Sequence, residues 1–180
     1  MGKQGKNAPP YGKLYQWGRK YGQGYSGALY DGDWNYLGEY SDSYVPERVS
    51  GPVSLSTGQS KANEDKFYYN SSSPSDWCSS PDNKLWNSGS DSAPVKTEYD
   101  PCPEGWRVPT KDELESLSQN HSSLTLYNNQ RGFWFSGSKS HSTTVPRIFL
   151  PAAGNRSAYG GSAGNRGCYG YYWSSSPNDF

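Results

Sequence analysis

Only one stretch of this chain, Arg107-Val-Pro-Thr-Lys-Asp-Glu-Leu114, carries the chemistry that starts a helix. Thr110 stands at the N-cap with Glu113 three residues on, which is a capping box, and Asp112 and Glu113 favour the positive end of the helix dipole. Leu114 and Leu117 share a face at i, i+3, while Glu115 and Gln119 point elsewhere. The spacing predicts a helix from Lys111 to about Asn120, ended by Asn120 and the serines that follow. No heptad or 3.6-residue period can be drawn through residues 11–44, and the rest of the chain reads as short strands and ordered loop. The predicted fold class is α+β, with one main helix.

Four runs have strand character: Lys13–Trp17 with Leu14 facing inward, Phe67–Tyr69, Gly132–Ser136 and Arg147–Pro151. Residues 70–94, NSSSPSDWCSSPDNKLWNSGSDSAP, are turn chemistry almost throughout, with Trp77 and Trp86 expected to tie the loop down. Such a chain risks having no core, because only 22 of its 180 residues are Leu, Ile, Val or Phe against 21 Gly, 13 Pro and 29 Ser. Two facts oppose disorder. The 17 basic residues balance the 17 acidic ones, and 16 Tyr with 7 Trp can bury the area that the aliphatics do not. The expectation is a single domain over residues 11–180 with an aromatic core and long loops, preceded by a disordered or expression-derived tail at residues 1–10. The Tyr-rich stretch from Tyr11 to Tyr44 is read chiefly as core anchoring, with a stacking platform for sugars or bases as the alternative.

Charge and hydropathy remove several functions. A net charge of zero lacks the basic excess on which nucleic-acid binders depend. No apolar run approaches the roughly 20 residues of a membrane span. The N-terminal MGKQGKNAPPYGK has no apolar core of a secretory signal, and Lys6 occupies the place where a myristoylation motif has Ser or Thr.

Reactive groups are sparse. Cys78, Cys102 and Cys168 are widely spaced, without a CxxC or Cys/His cluster, so neither a zinc site nor another cofactor is expected. One disulfide plus one free or distally paired thiol is the expectation, since neither His121 nor His141 lies in a nucleophile motif. The Asp112–Glu113 pair is explained by capping, and the Asp31–Asp33 pair by a DGD turn. Asp82-Asn83 and Asn178-Asp179 lack calcium-loop spacing, so no metal site and no catalytic residue are assigned.

The C-terminal segment offers recognition chemistry instead. Asn155, Arg156, Tyr159, Asn165, Arg166, Tyr169, Tyr171, Tyr172 and Trp173 are interleaved with Ser and Gly. These residue types favour binding surfaces: rigid amphipathic rings between adaptable hydrogen-bonding groups, with Arg adding stacking and bidentate contacts. The same rings could equally staple a Gly-rich core, and both roles are expected within the segment.

Several motifs carry a family likeness. Tyr99-Asp-Pro-Cys-Pro-Glu-Gly-Trp-Arg-Val-Pro-Thr110 followed by KDELESL, then GFWFSGS, IFLPAAGNR and GYYWSSSP, resembles the Fibrobacter-type major paralogous domain of Bacteroidetes surface and phage proteins. LYQWGRK and KLWNSGSDSAPVKTEYDPCP extend the likeness over nearly all of residues 11–180. The resemblance implies a C-type-lectin-like fold, related to retroelement-diversified variable proteins and to formylglycine-generating enzymes. It further implies a non-enzymatic adhesion or receptor-binding role, on a cell surface or virion, with a glycan or protein receptor as partner. The alternatives it leaves are a structural pilus or tail subunit and an enzyme of the formylglycine-generating type. The latter would need a pair of reactive cysteines in the C-terminal core, where this sequence has only Cys168. In the diversified relatives, adenine-directed variation yields Asn, Tyr, Ser, Gly, Asp and Arg among others, on which the stretch after Gly154 draws heavily. Family members continue past YWSSS into a closing strand with a further cysteine. The resemblance therefore implies that residues 11–180 lack the final strand, and that another chain could complete this edge.

Overall fold

A computed structural model describes residues 11–31, 33–42, 45–119, 124–136 and 146–176. The fold is α+β, with two short α-helices among the described residues and a set of small sheets joined by long ordered loops. Strands β1 (Leu14–Tyr15) and β2 (Gly22–Gln23) pair antiparallel, as do β3 (Ser26–Tyr30) and β4 (Tyr36–Ser41). β5 (Glu47–Ser50) pairs with β6 (Lys66–Tyr69) in parallel, whereas the other strand pairs among the described residues are antiparallel. Their connection carries α1 (Leu55–Gln59) and a 3-10 turn at Lys61–Asn63. α1 was not legible as a helix; Ser54 caps it by accepting from the Thr57 amide at 3.2 Å.

The largest sheet is built on β9 (Gln130–Ser136), which pairs antiparallel with β10 (Arg147–Pro151), β8 (Thr125–Tyr127) and β7 (Ser118–Gln119). Both long strands fall where the apolar runs placed them. The register sets Phe133 and Phe135 beside Leu150 and Ile148 on one face, and Trp134 beside Phe149 on the other. On that second face Tyr127, Trp134 and Phe149 form a ring triangle with centroids 4.9–5.2 Å apart, and Arg147 lies 4.3 Å over Trp134.

α2 starts as expected and stops early. Thr110 and Glu113 form the complete capping box, and Arg107 donates to both oxygens of Glu113 at 2.7 and 2.6 Å. The helix covers only Lys111–Glu115, not the predicted run to Asn120. The Ser116 hydroxyl donates back to the Glu113 carbonyl at 2.6 Å, and Ser118–Gln119 then join β9 as β7. A serine bonding to nearby carbonyls competes with the helix ladder, and the β9 backbone offers the next residues a better partner.

The core is aromatic. Tyr68, Trp77, Cys78 and Leu85 are buried together, with Trp17, Val49, Val53, Leu55 and Tyr99 against them. The two tryptophans fasten the Ser-rich loop, as the sequence implied. The Trp77 indole donates to the Trp17 carbonyl at 2.7 Å, and the Trp86 indole donates to the Arg19 carbonyl at 3.2 Å. Arg19 is wholly buried beneath them. Its guanidinium donates to the carbonyls of Gly58, Asn63 and Lys66 and to the Gln16 side chain, and lies 5.1 Å over the Tyr68 ring. Burial lowers its pKa to about 10.

The disulfide expectation is overturned, because all three cysteines are free thiols. Cys78 donates to the Ser80 carbonyl at 3.3 Å and Cys168 to the distant Asp31 carbonyl at 3.0 Å, so each buried thiol has a backbone acceptor.

Candidate functional site: an aromatic ridge

The turn between β3 and β4 is organised by one carboxylate. Asp31 accepts from the amides of Asp33 (3.0 Å) and Asn35 (2.8 Å) and from the Asn35 side chain (2.8 Å). These bonds, led by the Asn35 side-chain amide, hold its carboxyl below the usual range. The turn closes through Asp31 N to the Asn35 carbonyl (3.0 Å) and Trp34 N to the Asp31 carbonyl (3.2 Å). Trp34 is thereby fixed at φ 65°, in the left-handed region that a bulky residue rarely occupies. Its indole stays 47% exposed.

A second segment meets this turn from the far end of the chain. Tyr30 N donates to the Arg166 carbonyl at 3.0 Å, and the Cys168 thiol bonds to Asp31 as above. Gly167 lies between them at φ 93°, and a Cβ there would overlap the Tyr30 carbonyl oxygen. Only glycine satisfies both conditions. The junction brings Tyr169 against Trp34, with ring centroids 5.3 Å apart.

The result is a continuous row of five rings. Tyr36 contacts Tyr30 at 6.1 Å, Tyr30 contacts Trp34 at 5.5 Å, Trp34 contacts Tyr169, and Tyr169 contacts Tyr171 at 6.1 Å. All are tilted or edge-on, the arrangement that the ring quadrupole favours. Tyr36, Tyr169 and Tyr171 are about half exposed, like Trp34, so these four rings are braced on one side and open on the other, with Tyr30 more deeply set between Tyr36 and Trp34. The Tyr36 hydroxyl donates to Glu39 at 3.1 Å.

The residues expected to bind ligand therefore separate into groups. Tyr169 and Tyr171 stand on the ridge. Tyr172 and Trp173 line a different feature, an open groove of about 520 Å3 with Leu114, Leu117, Ile148 and Leu150. There the Tyr172 hydroxyl donates to the Pro151 carbonyl at 2.5 Å, and burial pushes its pKa up. The Trp173 indole donates to the Tyr15 carbonyl at 2.9 Å. Tyr159 is exposed on the turn after β11 (Asn155–Arg156), and no ring contact joins it to the ridge among the described residues.

The remaining four are scaffold. Asn165 donates to the Asn155 side chain at 2.9 Å across the pairing of β11 with β12 (Ala163–Gly164). Arg156 is half-buried and donates to the carbonyls of Gly24 and Gly161. Arg166 is wholly buried, which corrects the expectation that it meets a ligand at the surface. Its guanidinium pairs with Asp42 at 3.3 Å and lies 4.0 Å over the Tyr25 ring, with Tyr11 and Tyr40 each 5.1 Å away. Three rings and a carboxylate replace the water that a surface arginine would keep.

The sequence singled out none of Tyr30, Trp34 and Tyr36 as a site residue, and reached them only through the stacking-platform alternative for the Tyr11–Tyr44 stretch. The available signal was the DGDWN run, in which an Asp-organised turn presents a tryptophan, but tyrosines along that stretch read more simply as core. Among the described residues no three His, Cys, Asp or Glu side chains group as metal ligands would, and no helix is long and apolar enough to cross a membrane. Comparison with family models, curated proteins and solved structures finds no match.

Proposed function

We propose that this chain is a non-enzymatic binding module of C-type-lectin-like fold, an adhesion or receptor-binding domain on a bacterial surface or phage tail. Its partner is a glycan or a protein receptor, contacted through the ridge from Tyr36 to Tyr171. The observation that carries this reading is the ridge itself: half-exposed rings braced edge to face, with a strained Trp34 at the centre. Strain at an exposed aromatic is a cost that folding alone does not require, and it marks a surface kept for contact. The family motifs around residues 99–110 and 146–176 point to the same class. If the segment after Gly154 is diversified, variation falls on Tyr169 and Tyr171 and spares Arg166 and Gly167, which hold the scaffold. Cell-binding and glycan-array assays test the face. Tyr169→Ala and Tyr171→Ala should each weaken binding roughly tenfold, the effect of losing about 1.4 kcal/mol of contact. Undiminished binding by both would move the ligand elsewhere.

One observation favours a second reading, assembly with copies of itself. The apolar groove between α2 and β10 lies beside the edge strand β10, the kind of surface through which subunits associate. Light scattering across a concentration series decides it, since a persistent monomer argues against a structural subunit.

A further inference from the structure

We infer that the ridge takes a neutral oligosaccharide, several pyranose units long, stacked along the rings; this rests on the ridge being the ligand face. The first argument is the form of the surface. Tyr36, Tyr30, Trp34, Tyr169 and Tyr171 follow one another at centroid spacings of 5.3–6.1 Å, joined neighbour to neighbour, and among the described residues no ring contact closes the row on itself. A pyranose offers a patch of C–H bonds to the electron-rich face of an aromatic ring, and a row of rings matches consecutive sugars of one chain. The rings are already braced, so little side-chain freedom remains to be lost on binding.

The second argument is charge. Asp31 and Asp33 sit in the turn that presents Trp34, and Glu39 holds the Tyr36 hydroxyl. Among the described residues Arg131 is the cation that acts on Asp31, and only weakly, against the three carboxylates. That field opposes phosphates, sulfates and uronates at close range and leaves neutral hydroxyl-rich chains unaffected. The polar groups beside the rings, the Tyr36 hydroxyl and the exposed Asp33 and Glu39 carboxylates, suit sugar hydroxyls as partners. A peptide would be anchored by apolar side chains in pockets. An apolar groove of that kind among the described residues lies elsewhere, between Leu114, Leu117, Ile148 and Trp173.

Calorimetric titration of the full chain with cellohexaose, laminarihexaose, mannohexaose, hexagalacturonate and free glucose tests the inference. At least one neutral hexaose should bind, with glucose and hexagalacturonate each weaker by tenfold or more, on the order of 1.4 kcal/mol. Trp34→Ala and Tyr171→Ala should each raise the dissociation constant roughly tenfold. Trp106→Ala, which removes an exposed ring outside the ridge, should leave it unchanged. Tyr171 touches one ridge ring only, so its variant remains informative should Trp34→Ala unfold. A neutral hexaose bound equally well by both ridge variants overturns the ridge as the ligand face. If no neutral hexaose binds, the sugar assignment fails. A displayed random-peptide library then separates the two ideas, because selected peptides lost on Tyr171→Ala would leave the ridge standing as a protein-binding face.

Discussion

At the scale of single residues, two positions decide whether the ridge exists. Gly167 lets the C-terminal segment lie against the Tyr30 carbonyl. Gly167→Ala adds a Cβ where there is no room, in a left-handed conformation, and should cost about 1–3 kcal/mol in urea unfolding. The variant should also lose the Trp34–Tyr169 contact, visible as a changed near-ultraviolet dichroism. Asp42 is the second position. It is buried against Arg166 and accepts from the Tyr25 amide at 2.7 Å. Asp42→Asn leaves a buried guanidinium without its counter-charge and should lower stability by about 3–5 kcal/mol. Little of this was legible beforehand. Arg166 reads as a surface residue among Gly and Asn, because the carboxylate that takes it inside lies 124 positions away. The capping box was legible because donor and acceptor are three residues apart and need no tertiary partner.

At the scale of elements, local chemistry set where structure begins, and tertiary pairing set where it ends. Continuous apolar runs located β9 and β10, since strands of seven and five residues are long enough to leave one. The α2 start was equally plain, but its end depended on β9 being available to Ser118–Gln119, which no local pattern announces. β1 lies within the alternating Lys13–Trp17 run, whereas an isolated strand of two residues such as β11 carries no periodicity at all. The α2 start also has a pH signature. Arg107 and the Thr110 amide depress the Glu113 carboxyl from its ordinary 4.5 to about 2. A depressed carboxylate contributes stability above its unfolded pKa and loses it as pH falls through the folded one. Wild type should therefore lose stability between pH 4.5 and 2 more steeply than Glu113→Gln, which keeps a capping side chain without the charge. Urea midpoints across that range measure it. The effect will be modest, because the Glu113 side chain is half exposed and the pair is screened.

At the scale of the whole molecule, polar side chains perform the work that an aliphatic core does elsewhere. Arg19 joins the β1–β2 turn to α1, the 3-10 turn and β6 through backbone carbonyls, and its own carbonyl receives the Trp86 indole. Lysine has the charge but not the planar fork, so Arg19→Lys should cost at least about 2 kcal/mol in thermal or urea unfolding. The aromatic core was foreseeable from the scarcity of Leu, Ile and Val. That two buried arginines would organise it was not, since nothing in a single sequence marks which cations go inside.

The ridge is written in two distant parts of the chain, with Trp34 near one end and Tyr169 near the other. A ribosome therefore completes the surface only after residue 171 has emerged and the strands between have closed. Neither a stalled nascent chain nor a fragment cut between the two parts can display it. The surface is thus a product of the tertiary fold, present only when the β3–β4 turn and residues 166–171 are packed together.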